Sequence, residues 1–195
     1  MIYESLEIIK DQVSSYLNDK TGDANLVVLE NIAKIDDPQV FNISDKVVLS
    51  LINLEEEAAL KNQSRSLNEN GETVYKNHPI HLNLYLLFSI NRSGYDKSLI
   101  ALSGILEFFQ GKKVFTQSNT PLNPVIPALT TVTKFRFTVD LYTPTFEQQN
   151  YVWGTLGGKS LPSAMFKVSL VTIDRETIQE KGVIISQLTQ EANPI

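Results

Sequence analysis

The 195-residue chain has no cysteine, only two histidines and a single tryptophan. Without thiols there are no disulfide staples, no thiolate metal sites and no cysteine nucleophile. No apolar run approaches the ~18 residues that span a bilayer. The opening MIYESLEIIKDQ lacks a basic region followed by an apolar run, so no signal peptide is expected and synthesis in the cytoplasm is. The three N-x-S sequons at Asn42, Asn62 and Asn91 then carry no glycan, because glycosylation needs a secretory route. A basic stripe of the kind that binds nucleic acid is also missing. Net charge is −5, and the imbalance is local. Residues 1–60 hold 12 acidic and 4 basic side chains, whereas residues 61–195 hold 10 and 13. Such asymmetry either coats a solvated surface or favours head-to-tail contact between copies.

Apolar residues make up 42% of the chain, enough for a real core in one domain of ordinary size. Ile2, Leu6, Ile9, Val13 and Leu17 recur at helical spacing and predict an amphipathic helix over 2–19. Leu26–Glu30 and Asp45–Leu54 read as strands, and the polar stretch 61–79 as a long loop. Ile80–Ile90 alternates cleanly and is the clearest strand. Tyr95–Phe109 returns to helical spacing through Leu99, Leu102, Leu106 and Phe109. Pro121, Pro124 and Pro127 make 116–131 an extended loop. Thr133–Tyr142 alternates, with Phe135, Phe137, Val139 and Leu141 expected inward. Thr143-Pro144-Thr145 starts a helix that runs to Leu156, and Met165–Ile173 is the last main strand. The order α-β-β-β-α-β-α-β predicts an α+β domain. Its expected form is a mainly antiparallel sheet of about four to five strands with three helices packed on one face. This body is assigned to residues 1–175, and 176–195 to a C-terminal extension.

Several motifs suggest chemistry. Gly158-Lys159-Ser160 resembles the end of a phosphate-binding loop, G-x-x-x-x-G-K-[ST]. The first glycine of that pattern is replaced by Trp153, a helix precedes the motif and a strand follows it. This is the reverse of the strand-loop-helix order that aims amides at a phosphate. A helix cap and turn with a solvated Lys159 is the reading that remains. His78 and His81 fall on opposite faces of an extended segment and cannot share a metal unless Pro79 kinks the chain. Asp36-Asp37 and Glu55-Glu56-Glu57 are consecutive acids, which mostly coat solvated surface rather than converge in a pocket. No G-x-S-x-G elbow is present. Neither an enzyme, nor a cofactor, nor a metal is expected. Trp153, with Tyr151 and Phe146, reads as the packing of a short helix, with an interface anchor as the alternative. Lys181–Gln190 is β-prone and lacks an evident partner. It is an edge strand, a disordered tail or an assembly arm that pairs with another chain.

Three segments together resemble a known family. They are MIYESLEIIKDQVSSYL, LNLYLLFSINRSGYDKSLIALSGILEFFQGKKVF and NYVWGTLGGKSLPSAMFKVSLV. In this order they are similar to the cap, or tail-terminator, protein of phage-tail-like extracellular contractile injection systems of the antifeeding-prophage and virulence-cassette type. The resemblance covers residues 1 to about 175. It implies a non-enzymatic structural protein that forms a six-fold ring on the distal end of sheath and inner tube, ends polymerisation and fixes length. The implied partners are other copies of the chain, the sheath protein and the inner tube protein, with neither nucleic acid nor membrane insertion. The implied setting is a particle, either released extracellularly or kept at the cell. Trp153 and Val183-Ile184-Ile185 are the expected assembly residues. The alternative is a small monomeric adaptor or ligand-binding domain without catalysis.

Overall fold

The computed structural model describes residues 1–37, 43–57, 66–69, 72–76, 79–173 and 178–183. Helix α1 (Ile2–Thr21) is followed by strands β1 (Val27–Leu29), β2 (Lys46–Glu56), β3 (Ser66–Glu69), β4 (Glu72–Lys76) and β5 (Ile80–Asn91). Then come α2 (Tyr95–Gly111), β6 (Val114–Thr116), β7 (Arg136–Tyr142), α3 (Phe146–Thr155), β8 (Ser163–Ile173) and β9 (Ile178–Val183). Six strands form one sheet in the order β1-β2-β5-β8-β7-β6, and β3-β4-β9 form a separate sheet of three.

The α+β class and the three helices agree with the expectation from sequence, but the main sheet does not. It has six strands rather than four to five, and it is mixed, because β1 runs parallel to β2 while the other pairings are antiparallel. The additional strand β6 is three residues long, too short to show alternation. Residues 66–69 and 72–76 also form an antiparallel pair where a loop was expected, with Asn68 opposite Thr73. Their polar sequence hides the pairing, since strand periodicity is read from apolar residues.

The sheet is covered on both faces, not one. Successive strand residues point to opposite sides, so adjacent pairs sort the two layers. Leu86 pairs with Phe166, and both join the larger core under α1 and α2, with Ile9, Val13, Leu17, Ile105 and Phe109. Leu87 pairs with Met165, and both join a smaller core with Ile32, Val48 and Trp153. Helix α3 therefore lies on the face opposite α1 and α2. Aromatic rings fill the larger core, with Phe109 and Phe166 centroids 4.4 Å apart and Phe88 edge-on to Phe166 at 5.6 Å. Such contacts add about 0.5–1.5 kcal/mol each beyond the area they bury.

Local chemistry fixes each helix that frames these layers. In α3, Thr145 accepts from the Gln148 amide at 3.2 Å and Gln148 Oε1 accepts from the Thr145 amide at 3.0 Å, a reciprocal capping box. The helix ends where Gly157 and Gly158 adopt φ of 106° and 80°, values that side chains with a Cβ rarely take. The Gly158 amide closes the turn on the Trp153 carbonyl at 2.7 Å. Helices α1 and α2 touch through Gly104, where an added Cβ would stand 2.7 Å from Leu17 Cδ2.

Candidate functional site

The sequence motifs with possible chemistry resolve into structural contacts. Lys159 does not face a phosphate cradle. Its ammonium binds both carboxylate oxygens of Asp36, at 2.6 and 2.8 Å, tying the turn after α3 to the 3-10 turn after β1. His81 Nδ1 lies 3.2 Å from Thr172 Oγ1, and His78 falls outside the described residues. Glu55 and Glu57 sit at the end of β2, where Glu55 Oε2 accepts from the Tyr85 hydroxyl and Glu57 Oε2 from Asn83 Nδ2, both at 2.9 Å. The hydrogen bond it donates to Glu55 holds the Tyr85 phenol above its ordinary value, and burial and the carboxylate charge push the same way. Among the described residues, no cluster of three or more His, Asp or Glu side chains could hold a metal ion. No helix among them is long and apolar enough to cross a membrane.

Three surface features of the described residues bear on a contact site. The first is a groove of about 590 Å³ between α3 and the sheet, lined by Tyr85, Tyr142, Tyr151, Gln148 and Glu55 among others. Tyr85 and Tyr142 meet edge to face at 5.2 Å on its floor. The second is the outer side of α2. Ser98, Ala101, Gly104, Ile105 and Phe109 are the residues it buries. Tyr95, Leu99 and Leu106 recur at helical spacing on another side and are 70%, 42% and 38% exposed. Leu99 and Leu106 belong to the helical spacing read from the sequence, yet both face water. The helix is apolar almost all round, so periodicity alone does not select the face that is buried.

The third feature is the pair of sheet edges. On one side, β6 covers β7 only from Arg136 to Thr138, and Val139 adds one bond to the Lys113 carbonyl at 2.8 Å. By the alternation of a strand, the Leu141 amide and carbonyl face that same side beyond the end of β6. The Leu141 side chain is 57% exposed rather than inward as expected. A groove of about 260 Å³ joins it to Leu102 and Leu106 of α2 and to Trp153 of α3. The edge of β6 itself is blunted, since Asn119 accepts from the Thr116 amide at 2.9 Å and donates to the Val114 carbonyl at 3.0 Å. On the opposite side, β1 covers β2 only from Val47 to Leu49. The Ser50 hydroxyl continues that seam by donating to the Glu30 carbonyl at 2.6 Å and accepting from the Ile32 amide at 3.1 Å. Beyond it, Leu51, Leu54, Glu55 and Glu56 are exposed.

Of the expected assembly residues, Trp153 is 5% exposed and packs in the smaller core, while also lining the groove beside β7. Val183 is the last residue of β9 and pairs through its backbone with Glu72 of β4, so 178–183 do have a partner within the chain. Ile184 and Ile185 lie outside the described residues. Sequence reading missed the exposed edge at Leu51 and Leu54 and the outward turn of Leu99 and Leu106. The available signal was an excess of apolar residues over what one helix face or one strand face can bury.

This fold is similar to those of two solved proteins of contractile injection systems. The chain matches the sheath/tube terminator of the PVC extracellular contractile injection system, solved in its extended state. The TM-score is 0.63 at 10% identity, over 100% of this chain and 64% of that one. It also matches the tube-terminating cap of the anti-feeding prophage, with a TM-score of 0.58 at 13% identity, over 96% of this chain and 60% of that one. The chain thus spans under two thirds of the length of either protein. No protein of curated function matches it in sequence. Residues 6–187 match the Pvc16 N-terminal domain, and the chain belongs to that family.

Proposed function

We propose that this chain caps a contractile injection particle, closing the last layer of its sheath and inner tube as a ring of six copies, ending growth and fixing length. The observation that carries the reading is the apolar outer side of α2, on a chain whose fold is that of tube terminators. A helix face with Tyr95, Leu99 and Leu106 in water is a surface awaiting a partner. The role demands such surfaces. A polymer held by head-to-tail contacts presents open edges at its final layer, and a terminator must satisfy them on one side and offer none on the other. No step of this role needs catalysis, and the chain is proposed to act as a structural protein.

Residues 1–175 form the cap body in this reading, and 176–195 an arm. Val183-Ile184-Ile185 add as a strand to a neighbour, where backbone bonds supply affinity and alternate side chains supply register. Trp153 stiffens the floor beneath the contact surface. The test is assembly of tube and sheath with the full chain, imaged by electron microscopy. Six-fold density at one end and a narrow length distribution are expected. Removal of residues after Arg175 also takes β9 from the three-stranded sheet, and it is expected to weaken co-assembly while the six-stranded body stays folded. Tubes of unchanged length and bare ends with the full chain present would refute the reading.

A further inference from the structure

The two ends of the six-stranded sheet carry opposite charge. Residues 45–57, which include β2, hold Asp45, Glu55, Glu56 and Glu57 against one base, Lys46. Residues 112–140, which include β6 and β7, hold Lys112, Lys113, Lys134 and Arg136 against one acid, Asp140. Glu55 and Glu56 are exposed at the first end, and Lys113, Lys134 and Arg136 at the second. Each end also exposes apolar residues, Leu51 and Leu54 at one, Leu141 and Leu106 at the other. The strand order places these two ends at opposite edges of one sheet.

We infer that copies of this chain join head to tail, the basic β7 edge of one copy against the acidic β2 edge of the next. The inference rests on the ring reading above and names the surfaces that would build it. A contact between two different patches on the same molecule is heterologous, and such contacts close into a ring when the rotation between copies divides the circle. Two identical edges meeting each other would instead set like charges face to face, which is unfavourable. The exposed leucines supply the apolar centre of the contact, and the charges select which edges meet. Leu141 offers one open amide and carbonyl for the contact, and the Asn119 plug on β6 directs a partner towards that point.

The experiment is a set of charge reversals read by sedimentation at about 0.1 M salt, where exposed pairs are felt within about 10 Å. One variant is Glu55→Lys with Glu56→Lys, and the other is Lys134→Glu with Arg136→Glu. The wild-type chain should sediment as a closed oligomer. Each variant alone has two edges of like charge and should lose at least about tenfold in association. An equimolar mixture should assemble again, because every contact then pairs a positive edge with a negative one. That recovery also shows both variants are folded. The inference is overturned if either variant assembles as well as wild type, if the mixture stays dissociated, or if the wild-type chain remains a monomer. Rings from variants of unchanged mass would overturn it while leaving the cap reading intact. A monomer that never binds tube ends would overturn both.

Discussion

The two sides of helix α2 are made of similar residues and meet opposite fates. One side presents Ala101, Ile105 and Phe109, all 3% exposed or less, to the larger core. The other presents Tyr95, Leu99 and Leu106 to water. The inner side is defined by fit. Gly104 lets Leu17 of α1 approach closely, and the tilted Phe109 ring packs against both Phe88 and Phe166. Among the described residues the outer side has no comparable packing, and it opens onto the groove beside β7. Apolar character alone therefore does not make a core residue; the neighbours decide. Here one helix holds the fold together with one side and is free to hold an assembly together with the other.

The comparison breaks most clearly at Ile105. Its side chain is fully buried, so Ile105→Ala leaves a cavity and should cost about 2–5 kcal/mol of stability. Chemical denaturation would show this as a lower midpoint, and assembly should fail only because the fold does. Gly104→Val tests the close approach of the two helices. The added branches meet a buried Leu17 that has little room to turn, and the expected loss is about 1–3 kcal/mol. An unchanged midpoint for either variant would mean that the inner side is not packed as described.

The outer side predicts the opposite pattern. Leu99→Ser together with Leu106→Ser should change monomer stability by about 1 kcal/mol or less, since both residues already face water. The same change should abolish co-assembly with tube and sheath. If the pair of substitutions lowers stability as Ile105→Ala does, the two sides are not distinct. If assembly is unaffected, the outer stripe is not the contact surface.

How much of this was legible in the sequence follows from the same contrast. The stripe of α1 and the alternation of β5 each have a polar side opposite an apolar one, and both were placed correctly from periodicity. Helix α2 carries Ile100, Leu102 and Phe108 as well as its two stripes, so its periodicity supports more than one orientation. The spacing through Leu99, Leu102, Leu106 and Phe109 therefore does not by itself mark the side that the fold buries. In β7, Phe137 and Val139 did turn inward, but Leu141 lies past the end of β6 and past the core. Strands β3 and β4 left no apolar signature, and the pairing of β9 with β4 joins segments about a hundred residues apart. The GKS motif was separable from a phosphate loop by order alone, whereas the Lys159–Asp36 pair that replaces that role needed the fold. The small second core around Trp153 was half legible: burial of the tryptophan was one of two open readings, and its place on the opposite face of the sheet was not foreseen.

The smallest effect is expected where α1 and α2 are joined by charge rather than by packing. Lys20 pairs with Glu107 at the margin between the two sides of α2, and both side chains are exposed. The hydrogen bond and charge of Lys20 hold the Glu107 carboxyl below its ordinary value of 4.5, and the same pair raises Lys20 above 10.5. A lowered acid stabilises the fold above its unfolded value and loses that contribution as pH falls through the folded one. A raised base does so below its unfolded value and loses it as pH climbs through the folded one. The pair therefore acts between these limits, and Glu107→Gln should lower the melting temperature slightly at pH 7. Below the depressed carboxyl value both proteins should melt alike. High salt at pH 7 should also close the gap, because exposed pairs are screened. A gap that survives both acid and salt would mean that Glu107 contributes through packing, and the margin would then belong to the inner side of the helix.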